Sequence, residues 1–106
     1  MTTLAFKIDS FNRKNRNVGY FIKLGDNTFT FNCIWNSYAD CAFLTIEDSD
    51  RKTIISNIAL VNGLRIRHNK IPYIIYFRQE NGETYEPTID NIGKEFIFYY
   101  DIEDET

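Results

Sequence analysis

Glycine and proline are scarce in this 106-residue chain, five and two respectively, too few for a linker or a low-complexity protein. It has one histidine, His68, and two cysteines, Cys33 and Cys41, fewer ligands than a structural zinc site takes. Two thiols without a secretion signal do not make a disulfide framework, so reduced, largely buried cysteines are expected even though both flank one hairpin loop. No run reaches the roughly eighteen uncharged apolar residues of a membrane span. The start, MTTLAFKIDS, lacks the basic and apolar regions of a secretion signal. The expectation is a protein made in a cytoplasm, not secreted and with no membrane partner. Glycine-rich phosphate loops are absent, and Glu47, Asp48 and Asp50 lack the pattern of a calcium loop. His68 has no recognisable nucleophile motif beside it. The sequence thus offers no catalytic residue, metal site or cofactor, and an enzyme is not expected.

Apolar and aromatic side chains are what the chain has in quantity. Hydrophobic residues make up 43% and aromatics 16%, which excludes a disordered chain. A length of 106 residues fits one domain, 1–106, large enough to bury a core without staples. The net charge of −3 argues against nucleic acid, since phosphate binding needs a basic surface. Charge is nonetheless uneven, with Arg13, Lys14 and Arg16 in NRKNRN and an acidic end, DIEDET.

The dominant period is two. LAFKIDSF (4–11), GYFIKL (19–24), TFTFNCIWN (28–36), CAFLTIE (41–47), TIISNIALV (53–61) and YIIYFRQ (73–79) all read as strands, the fifth bent near Ser56–Asn57. LRIRHNK (64–70) is a short amphipathic piece, and ENGE (80–83) carries the Asn-Gly pair of a tight hairpin. This predicts an all-β fold, a small antiparallel β-sandwich or barrel, with helix limited to one or two turns at 62–68 or 88–92. Phe31, Trp35, Leu44, Ile46, Leu60 and Phe98 are expected in one core.

The last strand, EFIFYYDI (95–102), is apolar on both faces. Phe96, Phe98, Tyr100 and Ile102 share one face, and Ile97 and Tyr99 start the other. Such a strand is covered twice, by its own domain or by a partner. By strand parity Tyr76, Ile97 and Tyr99 are the candidate partner interface. Arg13, Lys14 and Arg16 are a second candidate, able to meet acidic neighbours.

The order of several pieces resembles a known family. IWN (34–36) ends one strand, FLTIEDSDRKTIISNIALVNGL (43–64) follows, then YIIYF (73–77), PTIDNIG (87–93) and FIFYY (96–100). This is similar to the baseplate plug proteins of contractile-tailed phages, small plugs on the tail hub known from a simple cyanophage myovirus. In that family a Trp-Asn pair precedes a strand ending in an acidic turn. An I-x-L-V-x-G-x-x-L-like segment and a D-x-L-G-like turn come next, before the closing strand. The resemblance covers about residues 20–100, less of the N-terminal segment. Ile92 replaces the leucine of the last turn, and GLR stands where the family often has an acidic residue. It implies a virion structural protein of the tail baseplate that binds the central hub, closes or lines the tail channel, and has no activity of its own. The implied partners are the tail hub, neighbouring baseplate proteins and copies of itself, three or a multiple. Trp35 would be a core plug, with Gly63 and Gly93 serving turns. A headless tail-like bacteriocin would use the same part. Rival readings are another tail or baseplate interaction module and a small barrel that stacks single-stranded nucleic acid on exposed aromatics. The register of the aromatics with aliphatic residues favours core over a base-stacking surface.

Overall fold

The structure, a computed structural model, describes residues 2–11 and 16–102. Arg13, Lys14 and the acidic run at 103–106 lie outside them. Eight strands are described: β1 (Thr2–Phe6), β2 (Asn17–Leu24), β3 (Asn27–Asn36), β4 (Cys41–Glu47), β5 (Thr53–Ala59), β6 (Leu64–Ile66), β7 (Ile75–Gln79) and β8 (Phe96–Ile102). They form two four-stranded sheets, β2-β3-β4-β5 and β1-β8-β7-β6, with every strand pairing antiparallel. No helix occurs among the described residues.

The first sheet is a meander whose strands alternate as their sequence does. In β3, Phe29, Phe31, Cys33 and Trp35 are buried, while Thr28, Ile34 and Asn36 are exposed. The Gly25–Asp26 turn brings β2 back onto β3, and 37–40 joins β3 to β4. The bend expected near Ser56–Asn57 is a bulge. Leu44 pairs with Ile58 but Ile46 with Ile55, so β5 carries an extra residue. Asn57 takes a φ of 52° there and donates its N–H to Thr45 Oγ1.

The chain passes between sheets over a few residues. Leu60 N–H still donates to the Ala42 carbonyl of β4, whereas Gly63 N–H already donates to the Phe77 carbonyl of β7. The inner faces meet through aromatic rings. Phe6 stacks on Phe98 (5.0 Å between centroids) and on Tyr20 (5.4 Å), and Phe31 meets both Phe6 and Phe98 edge-on at 5.3 and 5.5 Å. Edge-to-face and offset contacts of this kind add to the area they bury. Phe31, Trp35, Leu44, Ile46, Leu60 and Phe98 all lie in this buried cluster. Beyond β1 the chain leaves the sheet, and Ile8 and Phe11 close the sandwich end, Phe11 against Trp35.

Two expectations need correction. LAFKIDSF is strand only to Phe6, because residues 7–11 cover the core end instead of pairing. ENGE is not a tight hairpin: β7 and β8 are joined by the long connection 80–95. Asn81-Gly82 does turn, but it closes on Gln79. Gly82 N–H donates to the Gln79 carbonyl, and the buried Gln79 Oε1 accepts from the N–H of Asn81 and of Glu83. The strand therefore ends on its own side chain. The segment 88–92 makes a single turn, with the N–H groups of Asn91 and Ile92 both on the Thr88 carbonyl.

Candidate interaction faces

The outer face of the β1-β8-β7-β6 sheet is set by register. Tyr99 of β8 pairs with Tyr76 of β7 and Ala5 of β1, and Tyr76 in turn pairs with Arg65 of β6. The next row brings Ile97 beside Arg78, and Asp101 lies opposite Thr3. Thr3, Tyr76, Arg78, Tyr99 and Asp101 line a shallow pocket of about 240 Å³. The Arg78 guanidinium stands 4.4 Å from the Tyr99 ring centre, a cation–π contact that holds both side chains. Burial, and then the nearby Glu80 carboxylate, raise the Tyr99 pKa, with Arg78 opposing them. Tyr99 thus presents a protonated hydroxyl at neutral pH. Ile97 points to the same side but is only 4% exposed, so little of it is available to a partner.

Of the basic candidate only Arg16 is described, and it lies elsewhere. The Arg16 carbonyl accepts the Trp35 N–H, and its guanidinium donates to Ser37 Oγ, which places Arg16 at the β3–β4 hairpin of the other sheet. Asn36 Oδ1 accepts from the N–H of Tyr38 and Ala39 in that hairpin, fixing a turn from which Tyr38 projects fully exposed.

A second face went unread in the sequence. The outer side of the meander carries Phe21 (68% exposed) and Ile34 (49%), and Phe43 pairs beside Ile34. Ile34, Asn36, Phe43 and Asn57 line a shallow basin of about 380 Å³. The available signal was an apolar residue at the wet parity of β2 and β3, where Thr28, Thr30 and Asn32 set the pattern.

Chemistry is sparse. Burial pushes the Cys33 thiol up to about 12, so it is no nucleophile at neutral pH. Cys33 faces inward with Trp35, whereas Cys41 pairs with the outward Asn36. Their side chains lie on opposite faces of the sheet, an arrangement no disulfide spans; both cysteines are free. Asp48 accepts from the N–H groups of Asp50 and Lys52, and Lys70 Nζ lies 3.8 Å from its carboxylate. The backbone bond from Lys52 is the largest cause of its lowered pKa, so Asp48 organises a turn. His68 Nδ1 accepts the Lys70 N–H in the same corner. Among the described residues no cluster of His, Cys, Asp or Glu could hold a metal.

The short motifs are structural. In the Asp90–Gly93 turn Ile92 is fully buried, and Gly93 (φ 84°) lets the backbone of Ile8 and Asp9 pass within contact distance. Asn36 caps the β3–β4 hairpin beside the buried Trp35. Asn62, preceding Gly63, donates from Nδ2 to the carbonyls of Glu83 and Tyr85 and accepts the Gln79 N–H on Oδ1. These residues determine the fold, and one family's sequence pattern, described as cyanophage baseplate Pam3 plug gp18, matches residues 6–104. The chain belongs to this baseplate plug family. The match extends further toward the N-terminus than the motifs do, taking in the end of β1 and the segment that packs on Gly93 and Trp35. Among curated proteins none matches the chain. A baseplate plug family points to a structural part of a virion tail, interacting with other baseplate components, and away from catalysis.

Proposed function

We propose that this plug-family chain is a single β domain that docks on the central hub of a contractile tail and closes or lines the tail channel. It would be made in the host cytoplasm, as three copies or a multiple. Family membership supports the baseplate setting. The observation that carries the docking face is the Tyr76–Tyr99–Arg78 cluster on the outside of the β1-β8-β7-β6 sheet. Tyrosine and arginine are the residues that most often carry binding energy at protein interfaces, and here they are held in place before any partner arrives.

The test is a pull-down against purified hub protein. Tyr99→Ala is expected to weaken binding strongly without unfolding the chain, while Arg13→Ala or Arg16→Ala changes mainly salt sensitivity and association rate. Parent-like binding by Tyr99→Ala and Tyr76→Ala, with loss in Phe21→Ala, would move the docking face to the outside of the meander.

A further inference from the structure

Asparagine followed by glycine is chemically labile, because glycine has no side chain to shield its backbone nitrogen from the neighbouring amide. The chain holds two such pairs, Asn62-Gly63 and Asn81-Gly82. Their glycines are alike, with φ of 86° and 78° and nothing within 4 Å of an added Cβ at either. Their asparagines are not. Asn62 is half-buried, and its Nδ2 donates to the carbonyls of Glu83 and Tyr85 while its Oδ1 accepts the Gln79 N–H. Swinging this side chain onto the Gly63 nitrogen would break all three bonds and leave their partners unpaired. Asn81 is exposed, and its side chain has no hydrogen-bond partner among the described residues. Only backbone holds that turn: the Asn81 N–H on Gln79 Oε1, and the Gly82 N–H on the Gln79 carbonyl at a long 3.2 Å.

We propose that Asn81 is a site of spontaneous deamidation in the folded chain, and that the hydrogen bonds of Asn62 shield it from the same reaction. The Gly82 nitrogen gives its proton to solvent and attacks the Asn81 side-chain carbonyl carbon. The carbon–nitrogen bond of the side-chain amide breaks, and the nitrogen leaves as ammonia, closing a cyclic imide. Water then opens the imide at either carbonyl, giving aspartate or isoaspartate, and nothing is oxidised or reduced. The product places a carboxylate between the exposed Glu80 and Glu83. Isoaspartate also lengthens the main chain between the two N–H groups, of Asn81 and Glu83, that Gln79 Oε1 accepts together. The turn that ends β7 is thereby loosened. This chemistry belongs to the chain alone and stands whether or not the tyrosine face meets a hub.

Ageing the full chain in mildly alkaline buffer, followed by trypsin digestion and fragmentation mass spectrometry, tests it. Cleavage after lysine and arginine puts Asn81 in the peptide 79–94 and Asn62 in 53–65. An unchanged circular dichroism spectrum during ageing shows that the chain stays folded. The acid and isoacid forms are expected at Asn81, with Asn62 remaining an amide. In denaturant both asparagines should convert at similar rates. Equal conversion of the two in the folded chain, or none at Asn81, overturns the proposal. So does an Asn62 that stays inert when unfolded, since its protection would then not come from the fold.

Discussion

The backbone of Ile8 passes so close to Gly93 that a Cβ on Gly93 would stand 2.6 Å from the Ile8 carbonyl oxygen. Gly63 has nearly the same φ, 86° against 84°, with nothing within 4 Å of an added Cβ. Alanine at Gly63 should therefore cost only the strain of a positive φ, about 1 kcal/mol. Alanine at Gly93 adds a clash with backbone that cannot swing aside, for a total of about 3 kcal/mol or more. Denaturant unfolding of the two variants checks this, and equal losses would show that the approach of Ile8 is not tight.

Phe98→Ala should cost about 3–5 kcal/mol, the usual range for a buried aromatic. Its ring meets Phe6, Phe31 and Phe77, contacts that bridge both sheets, and it is fully buried. Trp35, against Phe11 near the sandwich end, should fall in the lower part of that range. A melting temperature within a degree or two of the parent's for either variant would contradict this core assignment.

The thiols should react in sequence. Cys41 is half-buried and Cys33 buried. Alkylation of the native chain without reductant is expected to add one label at Cys41, and a second only after denaturation. The Cys33 pKa is raised from 9.0 to about 12, so the native state holds its proton across a window where the unfolded state has lost it. The stability this contributes is full below pH 9.0 and falls as pH rises toward about 12. Cys33→Ala should show a shallower alkaline loss than the parent, and parallel pH profiles would refute the burial argument.

Tyr99 reports on the proposed docking face. Glu80 raises its pKa and Arg78 lowers it. Glu80→Gln should shift the Tyr99 titration down, and Arg78→Met, which keeps an apolar stem over the ring, should shift it up. Ring-resonance NMR over alkaline pH reads both. Shifts of the same sign in the two variants would mean that these charges do not act on the ring.

Strand parity made most of the sandwich legible. In β3 alternation with threonine and asparagine marks the buried face unambiguously, and Leu44 and Ile46 follow because β4 pairs with it. Parity also put Tyr76 and Tyr99 on one face, although only the pairing of β7 with β8 shows that they are neighbours. It failed where local chemistry outranks period. Phe11 looks like strand but caps an end, and Asn81-Gly82 looks like a hairpin but folds onto the Gln79 side chain. Ile97 is a third case, since parity gives the face of a residue and not what its neighbours cover. The outward Phe21 and Ile34 were hidden for the opposite reason: in a chain this rich in apolar residues, two more do not stand out.

The pairing of Thr2 with Ile102 joins strands nearly the whole chain apart, whereas the β2–β5 meander is complete by Ala59. During synthesis the meander can therefore form while its aromatic inner side still has no cover. The covering sheet is finished only when β8, the last strand made, inserts between β1 and β7. Non-local pairing of this kind is slow, and the uncovered intermediate is exposed to aggregation. The Tyr99–Tyr76 face, and β1 as an ordered edge, both depend on that final insertion. A chain truncated before Phe96 would lack the Tyr99–Tyr76 face proposed to meet the hub, so incorporation into a particle through that face would be confined to completed molecules.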